Sequence, residues 1–158
     1  MERREFIALV GMAAAMMPQR ADAGAVHPEG SPAAMLIGAW SFASSINIRR
    51  DGSTFDRWGP YPRGILMFDR GGHYAQIILG SESRVFGAKV FCAFGRFSID
   101  QAKSELVTHV DACSVPRLNG TAQRRSILRL TADELKYSTE LVATGVTAEV
   151  LWKRIVET

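Results

Sequence analysis

A chain of 158 residues with 47% hydrophobic and 22% charged residues has enough apolar material for one domain with a sizeable core, which excludes an intrinsically disordered protein. The formal charge of +3 is spread thinly, with its densest cluster at Arg124, Arg125 and Arg129, and no aromatic residues interleave with a basic run. A nucleic-acid surface concentrates Lys and Arg on one face, so nucleic acid is not expected as a partner.

Residues 1–23 follow the plan of an export signal: a charged start with Arg3 and Arg4, an apolar run from Ile7 to Met17, and the small-residue site Ala21-Asp22-Ala23. The apolar run is too short for a bilayer, which takes roughly 20 residues. Arg3-Arg4-Glu5-Phe6-Ile7 resembles the twin-arginine signature, and Arg20 ahead of the cleavage site suits that route. The expected address is the periplasm, with no stable membrane anchor; no cysteine lies in the signal or at its cleavage site to carry a lipid. The competing reading of this segment is an apolar N-terminal helix.

Residues 24–34, rich in Gly, Pro and Ala, read as a flexible lead, so the domain is expected over residues 35–158. Residues 36–50 alternate as a long half-buried strand, with Leu36, Trp40, Phe42, Ile46 and Ile48 on one side. Asp51-Gly52-Ser53 is a turn and residues 54–58 a short return strand. The loop Trp58-Gly59-Pro60-Tyr61-Pro62 has two φ angles fixed by proline and enters a hairpin with strands at 65–68 and from His73. Gly71 and Gly72 are expected to supply its positive φ angles. Gly80 to Arg84 read as a polar connector with room for a short helix. Strands follow at 85–99, where Gly87 and Gly95 suit bends or bulges, and at 105–115, 122–131, 134–139 and 148–156.

Cys92 and Cys113 fall on successive strands, and an oxidising compartment permits a disulfide between them. One register of the turn at Gln101 and Ala102 puts them opposite each other; another sets them on a diagonal too long for easy bridging. Two buried free thiols are the competing expectation. His27, His73 and His109 lack metal-ligand spacing, so no metal and no cofactor are expected.

Eight or nine strands joined by short turns imply an all-β, antiparallel meander, which about eight strands close into an up-and-down barrel. A two-sheet sandwich is the rival architecture. Several segments carry a family resemblance: Leu36-Ile37-Gly38-Ala39-Trp40, Gly59-Pro60-Tyr61-Pro62-Arg63-Gly64, Gly72-His73-Tyr74-Ala75-Gln76, Phe94-Gly95-Arg96-Phe97 and Leu151-Trp152-Lys153-Arg154. In that order they resemble the bacterial and fungal lipocalin-like domain family, a calycin-type barrel, over residues 35–156. The resemblance implies that Trp40 on the first strand stacks with Arg154 on the last and seals one end.

In a barrel, function sits in the interior and at its mouth. Tyr74 and Gln76 share one strand face and could bind a ligand if that face points inward. His109 and Asp111 project together as a proton-handling pair or as a solvated strand face. Arg124 shares its face with Leu128 and Leu130, and an interior arginine favours a carboxylate ligand. No nucleophile elbow, phosphate loop or dinucleotide fingerprint is present. The leading expectation is a barrel binding a small, partly apolar molecule, an acid among the candidates. The alternatives are a cyclase- or isomerase-type enzyme using His109, Tyr74 or Arg124, and a solidly packed barrel serving protein interaction.

Overall fold

The computed structural model describes residues 27–83, 87–141 and 144–156, so the export segment lies outside the described residues. A short helix α1 (Pro32–Leu36) precedes nine strands: β1 (Gly38–Ile48), β2 (Thr54–Phe55), β3 (Arg63–Phe68), β4 (His73–Ser83), β5 (Gly87–Asp100), β6 (Glu105–Cys113), β7 (Ala122–Leu130), β8 (Glu134–Leu141) and β9 (Val146–Arg154). Each of β3 to β9 pairs antiparallel with its sequence neighbour, and β1 pairs with both β3 and β9. Eight strands thus close into a barrel without free edges, which rules out the sandwich. The two-residue β2 adds only to the far end of β1.

One end is plugged. Ser31 accepts the Ala34 N–H at 3.2 Å and Pro32 opens α1, a favourable N-cap and first-turn pair. The helix drives Leu36, fully buried, against Trp40, so the expected flexible lead is in part a structural plug. Arg154 lies over the Trp40 ring at 4.0 Å and donates to the carbonyls of Ile37 at 2.8 Å, Met35 and Ala132. Trp40 Nε1 donates to Leu36 O at 2.9 Å. Gly38 lets the chain pass beneath this guanidinium: at φ +126, a Cβ there would sit 2.8 Å from Arg154 Nη1. Phe68, Phe97, Leu106, Leu135 and Trp152 complete the core around this end.

Among the described residues the ladder shifts register at four places, one of them between Leu79 and Glu82 in the β4–β5 pair, and the other three bear on the expected inner faces. Between Phe42 and Ser44 the β1–β9 register shifts by one, so Asn47 is buried while Ile46 is 50% exposed, reversing the expected alternation of residues 44–48. In β7 the register shifts between Ile127 and Arg129. Leu130 therefore faces the core from a strand whose earlier inward residues are Arg125 and Ile127, not Arg124 and Ser126. In the β5–β6 pair, Asp100↔Glu105 to Gly95↔Val110 run in the register that, continued, would set Cys92 opposite Cys113. Asp111 is an extra residue, and beyond it Ala93 pairs with Cys113.

Two further expectations are corrected. The 69–72 turn uses one positive φ, at Gly72, and not two; Asp69 N–H donates to His73 O at 3.0 Å and Gly72 N–H to Asp69 O at 3.3 Å. Gly80, Ser81 and Ser83 belong to β4 and contain no helix, with Arg84 outside the described residues. Ser81 serves the 56–62 loop instead: its backbone N–H donates to Trp58 O at 2.7 Å, and its Oγ accepts the Tyr61 N–H at 3.3 Å.

Candidate ligand cavity

Beyond the packed end, the barrel encloses a cavity of about 110 Å³. Its lining mixes apolar residues, Ile78, Phe91, Ala93, Val110, Ala148 and Val150, with polar ones, Ser45, Asn47, Tyr74, Gln76, Gln123, Arg125 and Thr139. The mouth is lined by Arg57, Trp58, Leu118 and Leu141. Trp58 is held there because Asp56 turns the chain, its Oδ1 accepting the Trp58 N–H at 2.7 Å and the Gly59 N–H at 3.1 Å. Lys89 Nζ donates to Arg57 O at 3.0 Å, and the Arg57 guanidinium lies 5.4 Å from the Trp58 ring.

The strand period explains how the polar residues come to line it. On β4, Tyr74, Gln76 and Ile78 are buried while His73, Ile77 and Leu79 are exposed, so the face holding Tyr74 and Gln76 is the inner one. On β6, Leu106, Thr108 and Val110 turn inward; on β7, Gln123 and Arg125 do so. Arg125 is only 8% exposed. Its Nη1 donates to Thr108 Oγ1, and its guanidinium lies 5.5 Å from the Tyr137 ring. Among the described residues no carboxylate pairs with it. The Tyr137 hydroxyl is satisfied by Trp152 Nε1 at 3.2 Å. The Tyr74 hydroxyl is buried with no hydrogen-bond partner. Burial raises the Tyr74 pKa above its ordinary value, opposed by the Arg125 charge and the nearby Thr108 hydroxyl, so this phenol is a neutral donor.

Tyr74 and Gln76 are therefore brought together in the cavity, whereas the other two sequence candidates point away. His109 and Asp111 are exposed on the outside. Arg124 is also outside, ion-paired to Glu105 at 2.8 Å and 3.8 Å from Asp100. Its neighbour Arg125 takes the inner position. The alternation Gln123, Arg125, Ile127 was the available signal, outweighed by Leu128 and Leu130, which the bulge displaces. Trp40 and Arg154 lie at the plugged end, away from the cavity lining. Cys92 and Cys113 are both free; Cys92 is exposed and Cys113 partly buried, so neither the disulfide nor a pair of buried thiols is formed. Among the described residues no group of three His, Cys, Asp or Glu side chains is placed to hold a metal ion.

Comparison with known proteins places this geometry. The lipocalin-like domain family matches residues 82–155, which takes in Phe94-Gly95-Arg96-Phe97 and Leu151-Trp152-Lys153-Arg154 but none of the N-terminal segments of the resemblance. No curated protein matches the chain. A solved structure described as the de novo design of a fluorescence-activating β-barrel is similar at 13% identity and a TM-score of 0.45, covering 78% of this chain and 96% of that one. Residues 82–155 thus resemble the lipocalin-like domain family, and the closed eight-stranded antiparallel barrel is the architecture that this resemblance implies.

Proposed function

We propose that this protein is an exported, periplasmic barrel that binds a small, partly apolar molecule, acids among its candidates, in the cavity between Tyr74, Arg125 and Val150. The observation that carries the reading is a space inside the barrel whose largely apolar lining is interrupted by a few buried polar groups, Tyr74, Gln76 and Arg125 among them, the pattern of ligand sites. Size narrows the ligand. An engineered 150 Å³ apolar cavity takes up benzene in other proteins, so about 110 Å³ accommodates a molecule of only a few heavy atoms, or one end of a longer one entering past Trp58. Export rests on the sequence of residues 1–23 alone.

Open space inside the barrel speaks against the solidly packed interaction module. Of the three proton handlers that the enzyme reading invoked, only Tyr74 lines the cavity, and an exposed His109 leaves that reading without its base. The test is native mass spectrometry of protein purified from the exporting cell, beside a Val150→Trp variant whose indole fills the cavity. A co-purifying small mass is expected with the natural chain and is lost in the variant. No bound mass in repeated preparations, together with no thermal shift from small monocyclic compounds, overturns the binding reading.

A further inference from the structure

We infer that the ligand class is a small monocarboxylate, its anionic head seated between the Arg125 guanidinium and the Tyr74 hydroxyl and its apolar remainder against Phe91, Ala93 and Val150. This rests on the cavity-binding reading above and gives it a chemistry. A buried cation with no anionic partner is costly, because desolvation is not repaid by a Coulomb partner. Arg125 is in that position: its recorded contacts are Thr108 Oγ1 and the Tyr137 ring, both uncharged, which leaves most of its N–H donors for another acceptor. The second observation is independent. Tyr74 Oη is buried, orphaned and on the cavity wall, and a buried polar atom without a partner calls for an explanation.

One carboxylate resolves both. It accepts from the planar guanidinium in charge-assisted hydrogen bonds and from the phenol through its other lone pairs. The raised Tyr74 pKa keeps that phenol protonated, so it donates and does not repel the anion. A neutral amide of the same shape would bring its NH₂ group toward one of these donors and leave it unpaired. A cation would meet Arg125 directly. Gln76 and Gln123 also line the space and offer adaptable contacts to the carboxylate or to a polar substituent.

The test uses the folded mature chain at neutral pH and four probes: isobutyrate and propionate, with isobutyramide and propionamide as their uncharged counterparts. Calorimetry is expected to show each acid binding at least ten-fold more tightly than its amide. Arg125→Met should abolish that preference, Tyr74→Phe should reduce it several-fold, and Arg124→Met, which alters only the outer surface, should leave it unchanged. Should Arg125→Met fold poorly, Arg125→Lys supplies a second reading: it keeps the charge without the planar fork and should weaken acid binding while preserving its sign. A ¹³C-carboxyl-labelled isobutyrate adds a readout of charge, since its bound resonance should stay that of the ionised form below the pH at which free isobutyrate protonates. Acid and amide binding equally well, or a preference that survives Arg125→Met, overturns the carboxylate assignment while the cavity reading stands. Failure of all four probes, with no bound mass in native preparations, overturns both.

Discussion

Arg154 joins three parts of the chain through one planar group: it stacks on Trp40 and donates to carbonyls at the end of α1 and in the β8 entry turn. Its loss leaves those carbonyls unpaired and removes a cation–π contact, so Arg154→Met should lower unfolding free energy by about 2 to 4 kcal/mol in urea titrations. Gly95 is a stricter case. Its φ is +157, and a Cβ there would lie 2.0 Å from the His109 carbonyl oxygen and 2.8 Å from the Asp111 nitrogen, backbone atoms that cannot yield without moving β6. Gly95→Ala is expected to cost at least about 3 kcal/mol and to show as a sharp fall in soluble yield and melting temperature. Both residues stood out in the sequence, as half of a resemblance and as a bulge glycine. Arg125 did not. Two adjacent arginines on a strand differ only in which face they occupy, and a bulge three residues further on disguised the choice.

At the scale of elements, the turns and bulges decide which side chains meet. The Asp111 bulge separates Cys92 from Cys113, and the two thiols should differ in reactivity: one reacts quickly with a thiol reagent in the native protein, and the second is slower until unfolding. Mass spectrometry of the labelled chain should place the fast site at Cys92. In the 69–72 turn, the Asp69 carboxylate accepts the His73 N–H at 2.8 Å and lies 3.1 Å from the imidazole. The backbone hydrogen bond from His73 is the largest influence lowering its pKa. A lowered carboxylate pKa contributes stability that is present above the ordinary value and lost as pH falls through the folded value. Asp69→Asn should therefore melt slightly below the natural chain at neutral pH and converge with it below the usual carboxylate range; the pair is exposed, so the difference is small. Hairpin positions and the Gly72 turn are readable from local chemistry. Bulges are not, because they answer to how far strands must shear and coil to close a barrel.

For the molecule as a whole, α1 closes one end, the 56–62 loop narrows the other, and the cavity occupies what remains between them. Leu36→Ala should cost about 2 to 5 kcal/mol by leaving a void beneath Trp40, measured by denaturant unfolding, while leaving cavity binding largely intact because Leu36 does not line that space. Export is tested separately. Replacing Arg3 and Arg4 by lysine in the full chain should hold the protein in the cytoplasm, read by cell fractionation, if the twin-arginine reading of residues 1–23 is right. The sequence by itself determined the strand count, the antiparallel meander and the pairing of Trp40 with Arg154 implied by resemblance, since these follow from side-chain period, turn residues and recognisable segments. Tertiary closure alone decided the inner faces beyond each bulge, the separation of the cysteines and the burial of Arg125 beside Tyr74. The physical reason is that one extra residue in a strand turns every following side chain to the opposite face, and only the closed barrel determines where that residue must go.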